Sequence, residues 1–190
     1  MADIRPYRET DKYFVQRVCL QTLDDNVVFE GLDRINADFF LPLYNDYYTE
    51  CEPENCFVCT DENDNAVGYI ICSTDVKKWR KIFMAEYYPK IKHRKFGDRL
   101  NAIGEIIAHS MFMKKYPAHL HIDILKEYRG NGTGTQLMQT LVDHLRQKGI
   151  KGVQLCVDAE NKKAICFYER NGFKKLMNFV RGYAMGLEIK

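Results

Sequence analysis

The sequence predicts an α/β fold of the α+β kind, a β-sheet flanked by helices, in a single domain. Three stretches carry that prediction. Residues 119–141 read as a buried strand, a glycine-rich turn and an amphipathic helix. Residues 153–157 are a compact apolar strand, followed by a helical pattern over 162–170 that stops at Asn171-Gly172. Residues 56–60 and 66–73 read as two strands joined by the turn Asp61-Glu62-Asn63-Asp64-Asn65.

Composition sets the bounds. A chain of 190 residues is most simply one domain, 1–190, long enough to bury a real core. Its 46% hydrophobic and 28% charged residues are those of an ordinary globule. A net charge of +2 argues against a dedicated nucleic-acid binder. No apolar run approaches the roughly 20 residues that span a bilayer, and residues 1–15 lack the apolar core of a signal peptide. A cytoplasmic protein without membrane or nucleic-acid partners is expected, as a monomer or homodimer. Of seven cysteines, Cys19, Cys56, Cys59, Cys72, Cys156 and Cys166 have the apolar neighbours of reduced core cysteines. Cys56 and Cys59 make one C-x-x-C, but no second pair or close histidine completes a zinc site, and no metal is expected.

Taken in order, Ile4-Arg5-Pro6-Tyr7 suits a short opening strand. Asp11 is placed to cap a helix to about Leu23, with Phe14, Val15, Val18 and Cys19 on its apolar face. Residues 26–30 suit an extended segment, and the aromatic-rich 37–48 is helical in part. After the hairpin, whose acidic turn reads as solvated rather than as a lure for cations, residues 76–117 read as an inserted helical segment. Trp79, Phe83 and Tyr87 recur at four-residue spacing, and Pro89 marks a stop. Residues 90–95 are a solvent-facing basic run. Ile103, Ile106, Ile107, Ser110 and Met111 make a second helical face, ended before Pro117. In the next strand, Leu120, Ile122 and Ile124 share one face, and His119, His121 and Asp123 the other. Leu137, Leu141, Val142 and Leu145 repeat at helical spacing. Closing strands are expected at 173–177 and 183–189.

The turn at 129–134 holds three glycines in six residues. Such a turn leaves backbone N–H groups unpaired at a helix N-terminus, where the dipole favours an anion. It therefore reads as a phosphate cradle. A Walker loop is excluded because Gly134-Thr135-Gln136 lacks its lysine. A dinucleotide fingerprint is excluded because Gly130, Gly132 and Gly134 are spaced by two throughout. The remaining pattern, R/Q-x-x-G-x-G/A, is matched by Arg129, Gly132 and Gly134. This resembles the acetyl-CoA pyrophosphate loop of the GNAT acetyltransferase superfamily.

A second motif lies downstream, in Asn161-Lys-Lys-Ala164-Ile-Cys-Phe167-Tyr168-Glu-Arg-Asn-Gly172-Phe173. It resembles the GNAT pattern N-x-x-A-x-x-F-Y-x-x-x-G-F at every specified position, with a helix and a strand between it and the glycine turn. More narrowly, Tyr116-Pro-Ala-His-Leu-His-Ile-Asp123 is similar to a segment of bacterial GNAT proteins that resemble the acetyltransferase-like domain of O-GlcNAc hydrolases. The resemblance implies a GNAT fold: a mixed, mostly antiparallel central sheet flanked by helices, with strands 119–125 and 153–157 splayed around acetyl-CoA. It implies that Arg129, Gly130, Asn131, Gly132, Thr133, Gly134 and Thr135 hold the pyrophosphate. Asn161 and a small Ala164 then meet the pantetheine arm, and Tyr168 lies further along the same helix side, near the sulfur. Phe167 and Phe173 read as core aromatics.

The implied chemistry needs a neutral amine, a polarised thioester and a protonated leaving group. Deprotonating an alkylamine of pKa about 10.4 at pH 7 costs roughly 4–5 kcal/mol. Proton transfer from a tyrosine near 10 to a thiolate near 8.5 is uphill by about 2 kcal/mol, which holding the hydroxyl beside the sulfur offsets. A backbone N–H of Ile124 or Leu125 would polarise the carbonyl. The family usually transfers acetyl directly, so no cysteine is assigned as nucleophile. His121 is the first choice of base and Asp123 the second, directly or through a water. The expected activity is acetyl-CoA-dependent N-acetylation of a primary amine on a small molecule, peptide or protein. The competing expectation is a non-catalytic acetyl-CoA-binding module of the same fold.

Overall fold

Hydrophobic alternation and turn chemistry produce a seven-stranded sheet in the computed structural model, which describes residues 3–23, 34–91, 95–179 and 182–190. Its strands are β1 (Asp3–Pro6), β2 (Phe57–Thr60), β3 (Ala66–Ser73), β4 (Ala118–Ile124), β5 (Gly152–Asp158), β6 (Lys174–Asn178) and β7 (Gly182–Glu188). They lie in the order β1-β2-β3-β4-β5-β7-β6, antiparallel except for β4 with β5. The exception shapes the molecule. β4 and β5 pair only at Ala118 with Val153 and at His119 with Gln154, at the N-terminal part of each strand. Beyond those residues the two strands part, while β4 stays paired with β3 as far as Ile124. The expected mixed sheet with splayed central strands is what the chain forms.

Helices α1 (Lys12–Thr22), α2 (Arg34–Tyr44), α3 (Asp46–Cys51), α4 (Val76–Ile82), α5 (Tyr88–Ile91), α6 (Phe96–Phe112), α7 (Thr133–Gln147) and α8 (Lys162–Arg170) cover the sheet. Side-chain contacts assign the faces of β4. His119 and His121 meet Tyr48 of α3, and His119 also meets Trp79 of α4 and His109 of α6. On the other face Ile124 reaches toward Gly134 of α7, which also approaches Phe167 of α8. The alternation expected for residues 119–124 is therefore the observed one.

Several local expectations change, each for a physical reason. Asp11 stands at the N-cap of α1, but its side chain makes no capping bond to the helix. Its carboxylate takes both Arg5 guanidinium nitrogens, at 2.7 and 2.9 Å, and the Arg8 N–H at 2.8 Å, fixing the 3-10 turn that enters the helix. Arg5 and Arg8 also hold Asp64, so the acidic hairpin turn is tied to β1. Pro89 does not stop its helix. The widened π-type turn at Phe83–Tyr87 precedes it, and α5 continues through it to Ile91. Trp79, Phe83 and Tyr87, at their four-residue spacing, are buried together in the core. On α6, Ala102, Ile106 and His109 face the core, whereas Ile107 and Met111 join Phe96 and Leu100 on an exposed stripe. Cys166 is exposed and Cys156 half-buried, because α8 and the parted end of β5 leave them uncovered; no cysteine is in a disulfide. The segment 26–30 and residues 92–94 of the basic run lie outside the described residues.

Buried Glu52 fastens α3 to the end of β3. It accepts from Tyr47 Oη, Asn55 Nδ2, Ser73 Oγ and both the N–H and Oγ1 of Thr74, all within 2.7–2.9 Å. A desolvated carboxylate persists only with such a set of donors. Among the described residues no helix is long and apolar enough to cross a membrane.

Candidate active site

The parting of β4 from β5 opens a cavity of about 550 Å³ against the glycine turn and α8. Asp123, Ile124, Arg129, Gly130, Gly132, Gly134, Thr135, Asn161, Ala164 and Tyr168 line it, so both sequence motifs meet in one place.

The turn end of the cavity is made of backbone. Gly130 and Gly132 have φ of +96° and +82°, a left-handed conformation that L side chains rarely adopt. Gly132 is the N-cap of α7, and the first N–H bonded within the helix is that of Gln136, to Gly132 O at 3.0 Å. The N–H groups of Thr133, Gly134 and Thr135 therefore have no carbonyl inside the helix, and they lie at its positive end. Gly134 permits close approach, since a Cβ there would stand 3.1 Å from the Phe167 ring. The Arg129 side chain closes the turn, its Nε donating to Ile124 O at 2.6 Å.

The open edge of β4 supplies a second backbone group. Leu125 N–H is committed to Val67 O at 2.9 Å, so Leu125 is not the carbonyl-polarising donor that the sequence allowed. Donor direction alternates along a strand. With Leu125 facing β3, the N–H groups of Ile122 and Ile124 face the opposite edge, where β5 has moved away. Leu125, Asn131 and Thr133 do not line the cavity: Leu125 and Thr133 are buried, and Asn131 is exposed at the tip of the turn.

On α8, Asn161 accepts the Ala164 N–H at 3.0 Å, capping the helix with its Oδ1 and leaving only its amide nitrogen to face a ligand. Tyr168 packs edgewise on Phe167 and against Phe173. Burial, reinforced by Asp123, pushes its hydroxyl above the ordinary tyrosine range, so it is protonated at neutral pH. Asp123 accepts from Tyr69 Oη at 2.5 Å.

His121 is placed differently from its expected role. It does not line the cavity, and its Nε2 meets Tyr48 Oη at 3.0 Å while His119 Nε2 meets the same oxygen at 2.8 Å. One hydroxyl proton cannot serve both, so one imidazole accepts from Tyr48 and the other donates to it. Burial lowers His121 to about 4 and His119 well below its usual value. His121 thus stands outside the cavity with its Nε2 bonded, whereas Asp123, the second choice of base, lines it.

Sequence reasoning missed Thr22, Ile122, Lys163 and Arg170 as lining residues, and it placed half-buried Phe167 in the core. Lys163, Phe167 and Arg170 stand at i, i+4 and i+7, so helical periodicity beside Ala164 was the signal for them. Thr22, at the end of α1, had none. A neighbouring groove of about 480 Å³ runs along α8 and adds Lys162, Cys166 and Asn171.

A family model described as the acetyltransferase (GNAT) family matches residues 26–173. N-alpha-acetyltransferase 30 of Schizosaccharomyces pombe is 30% identical over 142 residues, covering 75% of this chain and 72% of that protein. Protein O-GlcNAcase of Rattus norvegicus is 27% identical over 89% of this chain, a match that spans only 20% of that longer protein. Among solved structures, SsHAT superposes with a TM-score of 0.85 at 26% identity, covering 99% of this chain and 98% of its own.

Proposed function

The chain belongs to the acetyltransferase (GNAT) family, and from that premise we propose that it transfers acetyl directly from acetyl-CoA to a primary amine. One observation carries the proposal: a single cavity is lined both by the amide-bearing glycine turn and by Tyr168 and Asp123. Its donors match the parts of the thioester substrate. The unpaired amides of residues 133–135 suit the pyrophosphate, and Lys162, Lys163 and Arg170 along α8 suit the nucleotide phosphates. Ala164 leaves width for the pantetheine arm, and the Asn161 amide nitrogen can donate to it.

Acetyl-CoA supplies the activated acyl group; the chain's own groups orient it and move protons. The Ile124 N–H at the open edge of β4 is the donor that would polarise the thioester carbonyl. Tyr168, held protonated by burial, gives its proton to the departing thiolate. Asp123, directly or through a water, takes the proton of the incoming amine, with Tyr69 fixing its orientation. A carboxylate is by nature a weak base, so such a site suits acceptors that are already partly neutral. An α-amine of pKa about 7.7–8.0 is easier to deprotonate at pH 7 than an alkylamine near 10.4, by roughly 3 kcal/mol. Together with the likeness to an N-alpha-acetyltransferase, this puts peptide α-amines first among acceptors.

The test is a panel of peptides with free α-amines, polyamines and amino sugars incubated with acetyl-CoA, following free thiol and the mass of the acceptor. Acetylated acceptor matching the thiol released supports the enzyme, with peptides turned over fastest. Tight acetyl-CoA binding without turnover of any amine would replace it with a non-catalytic binding module.

A further inference from the structure

The fold gathers three side chains that acetyl transfer does not use. Glu105 and His109 are one turn apart on α6, and Cys156 stands on β5, the strand that α6 covers. One ligand-capable atom from each lies within 4.8 Å of the other two. His109 Nε2 is 3.6 Å from Glu105 Oε2, and the Glu105 carboxyl is in hydrogen-bonding reach of the Cys156 thiol. Some point must then lie within about 2.8 Å of all three atoms, so shifts of roughly 0.5–0.8 Å reach zinc-ligand distances of about 2.0–2.3 Å.

The surroundings fix what His109 presents to that point. Gln154 Nε2 donates to both His109 O at 3.0 Å and Tyr116 O at 2.7 Å, which turns the amide oxygen away from those carbonyls. That oxygen and His109 Nδ1 are both buried with no hydrogen-bond partner, and the two side chains lie near enough to interact. A small rotation that directs an Nδ1–H at Gln154 Oε1 would satisfy both, and it leaves the Nε2 lone pair facing Glu105 and Cys156. A histidine oriented through its second nitrogen is the usual arrangement at metal sites. An imidazole lone pair, a carboxylate and a sulfur facing one another repel unless a proton or a cation lies between them.

We propose that Glu105, His109 and Cys156 form a three-ligand site for Zn²⁺. The donor set of one nitrogen, one oxygen and one sulfur suits that borderline-soft ion. The site is closed on the His109 side, where that residue is 1% exposed, and open through the half-buried Glu105 and Cys156. A fourth position is thus left for water or another ligand. The expectation of no metal came from inspecting Cys56 and Cys59; this site joins residues about fifty positions apart and has no local spacing. It does not depend on the acetyl-transfer reading.

The full chain, stripped with a chelator, is titrated with Zn²⁺ against a competing chromophoric chelator, and separately with Co²⁺ followed by absorption. The expected results are one equivalent bound and a tetrahedral Co²⁺ spectrum with a thiolate charge-transfer band. Cys156→Ala should abolish that band, and Glu105→Gln should weaken Zn²⁺ by about tenfold or more, with circular dichroism unchanged. Cys156 is a half-buried strand residue, so its variant tests the site without removing the buried His109 ring. No stoichiometric binding, or binding that Cys156→Ala leaves unaltered, overturns the proposal.

Discussion

The two sides of β4 present walls made from different materials. Toward α7 and α8 the wall is chiefly backbone: amides at the start of α7, the open edge of β4, and glycines that keep side chains out of the way. Toward α3, α4 and α6 it is side chain, packed in the core behind the cavity: Tyr48, Trp79, His109, His119 and His121 lie ring on ring, with Glu105 and Cys156 beside them. A backbone wall presents the same groups to the invariant part of any acyl-CoA. A side-chain wall depends on each of its residues and on their protonation. The first should therefore govern cofactor affinity, and the second should govern stability and response to pH.

The largest effect expected is at the one side chain assigned to chemistry on the backbone side. Tyr168→Phe removes only the hydroxyl and keeps the ring against Phe167 and Phe173. Turnover should fall by about 100- to 1,000-fold with acetyl-CoA affinity unchanged, because general-acid catalysis contributes on that order. Steady-state kinetics together with calorimetric binding separate the two numbers. An unchanged turnover would remove Tyr168 from the chemistry and leave its wall a binding surface only.

Next comes the backbone itself. Gly132→Val forces a β-branched residue into φ near +82°, costing about 2 kcal/mol or more, or tilting the amides out of line. If the turn relaxes to escape that strain, re-forming it around acetyl-CoA should lower affinity by roughly 30-fold, since each 1.4 kcal/mol is a factor of ten. The acceptor preference of the residual activity should not change. A variant that alters acceptor ranking instead would break the division between the walls.

That division also explains what could be read in advance. Gly130, Gly132, Gly134, Asn161, Ala164 and Tyr168 sit in two short segments whose spacing is imposed by a turn and a helix, so their chemistry shows in the order of residues. The other wall depends on tertiary contact. Tyr48 is 71 and 73 positions from the two histidines whose Nε2 atoms meet its hydroxyl, His119 and His121, and Glu105 meets Cys156 only because α6 lies on β5. His121 shows the consequence: its strand face was correctly read, but its partner was invisible, and the partner decides whether it can act as a base. The parting of β4 from β5 was legible only through the family resemblance, since no residue in either strand signals it.

The side-chain wall should respond to acid. In the folded protein burial sets His121 at about 4, against about 6.5 when unfolded, so the fold accommodates the neutral ring. Above pH 6.5 neither state is protonated and stability is whole. As pH falls below 6.5 the unfolded chain takes up the proton first, and stability is lost until pH passes about 4. The loss is about 2 kcal/mol at pH 5 for this residue alone. Tyr44, Tyr48, His119 and His109 surround it, and His109 and His119 are shifted in the same direction, so they add to the decline. Denaturant midpoints of chelator-treated protein at pH 7.5 and 5 measure it. His121→Gln should shrink the difference; an equal drop in that variant would place the acid sensitivity elsewhere.

The smallest effect tests the boundary between holding a helix and holding a ligand, at Asn161. Its Oδ1 caps α8 through the Ala164 N–H, and its amide nitrogen is the group proposed to meet the pantetheine arm. Asn161→Ala removes both and should cost about 1 kcal/mol of stability. Asn161→Ser keeps an N-cap oxygen but has no amide, so stability should stay within about 0.5 kcal/mol of the parent. If the amide donates to the ligand, both variants lose acetyl-CoA affinity by a similar factor of about three to ten, the net worth of one hydrogen bond. If only the alanine variant loses it, Asn161 acts by setting the first turn of α8. Because Ala164 and Tyr168 follow on that helix, the residue would then belong to the scaffold of the backbone wall rather than to its ligand-facing surface.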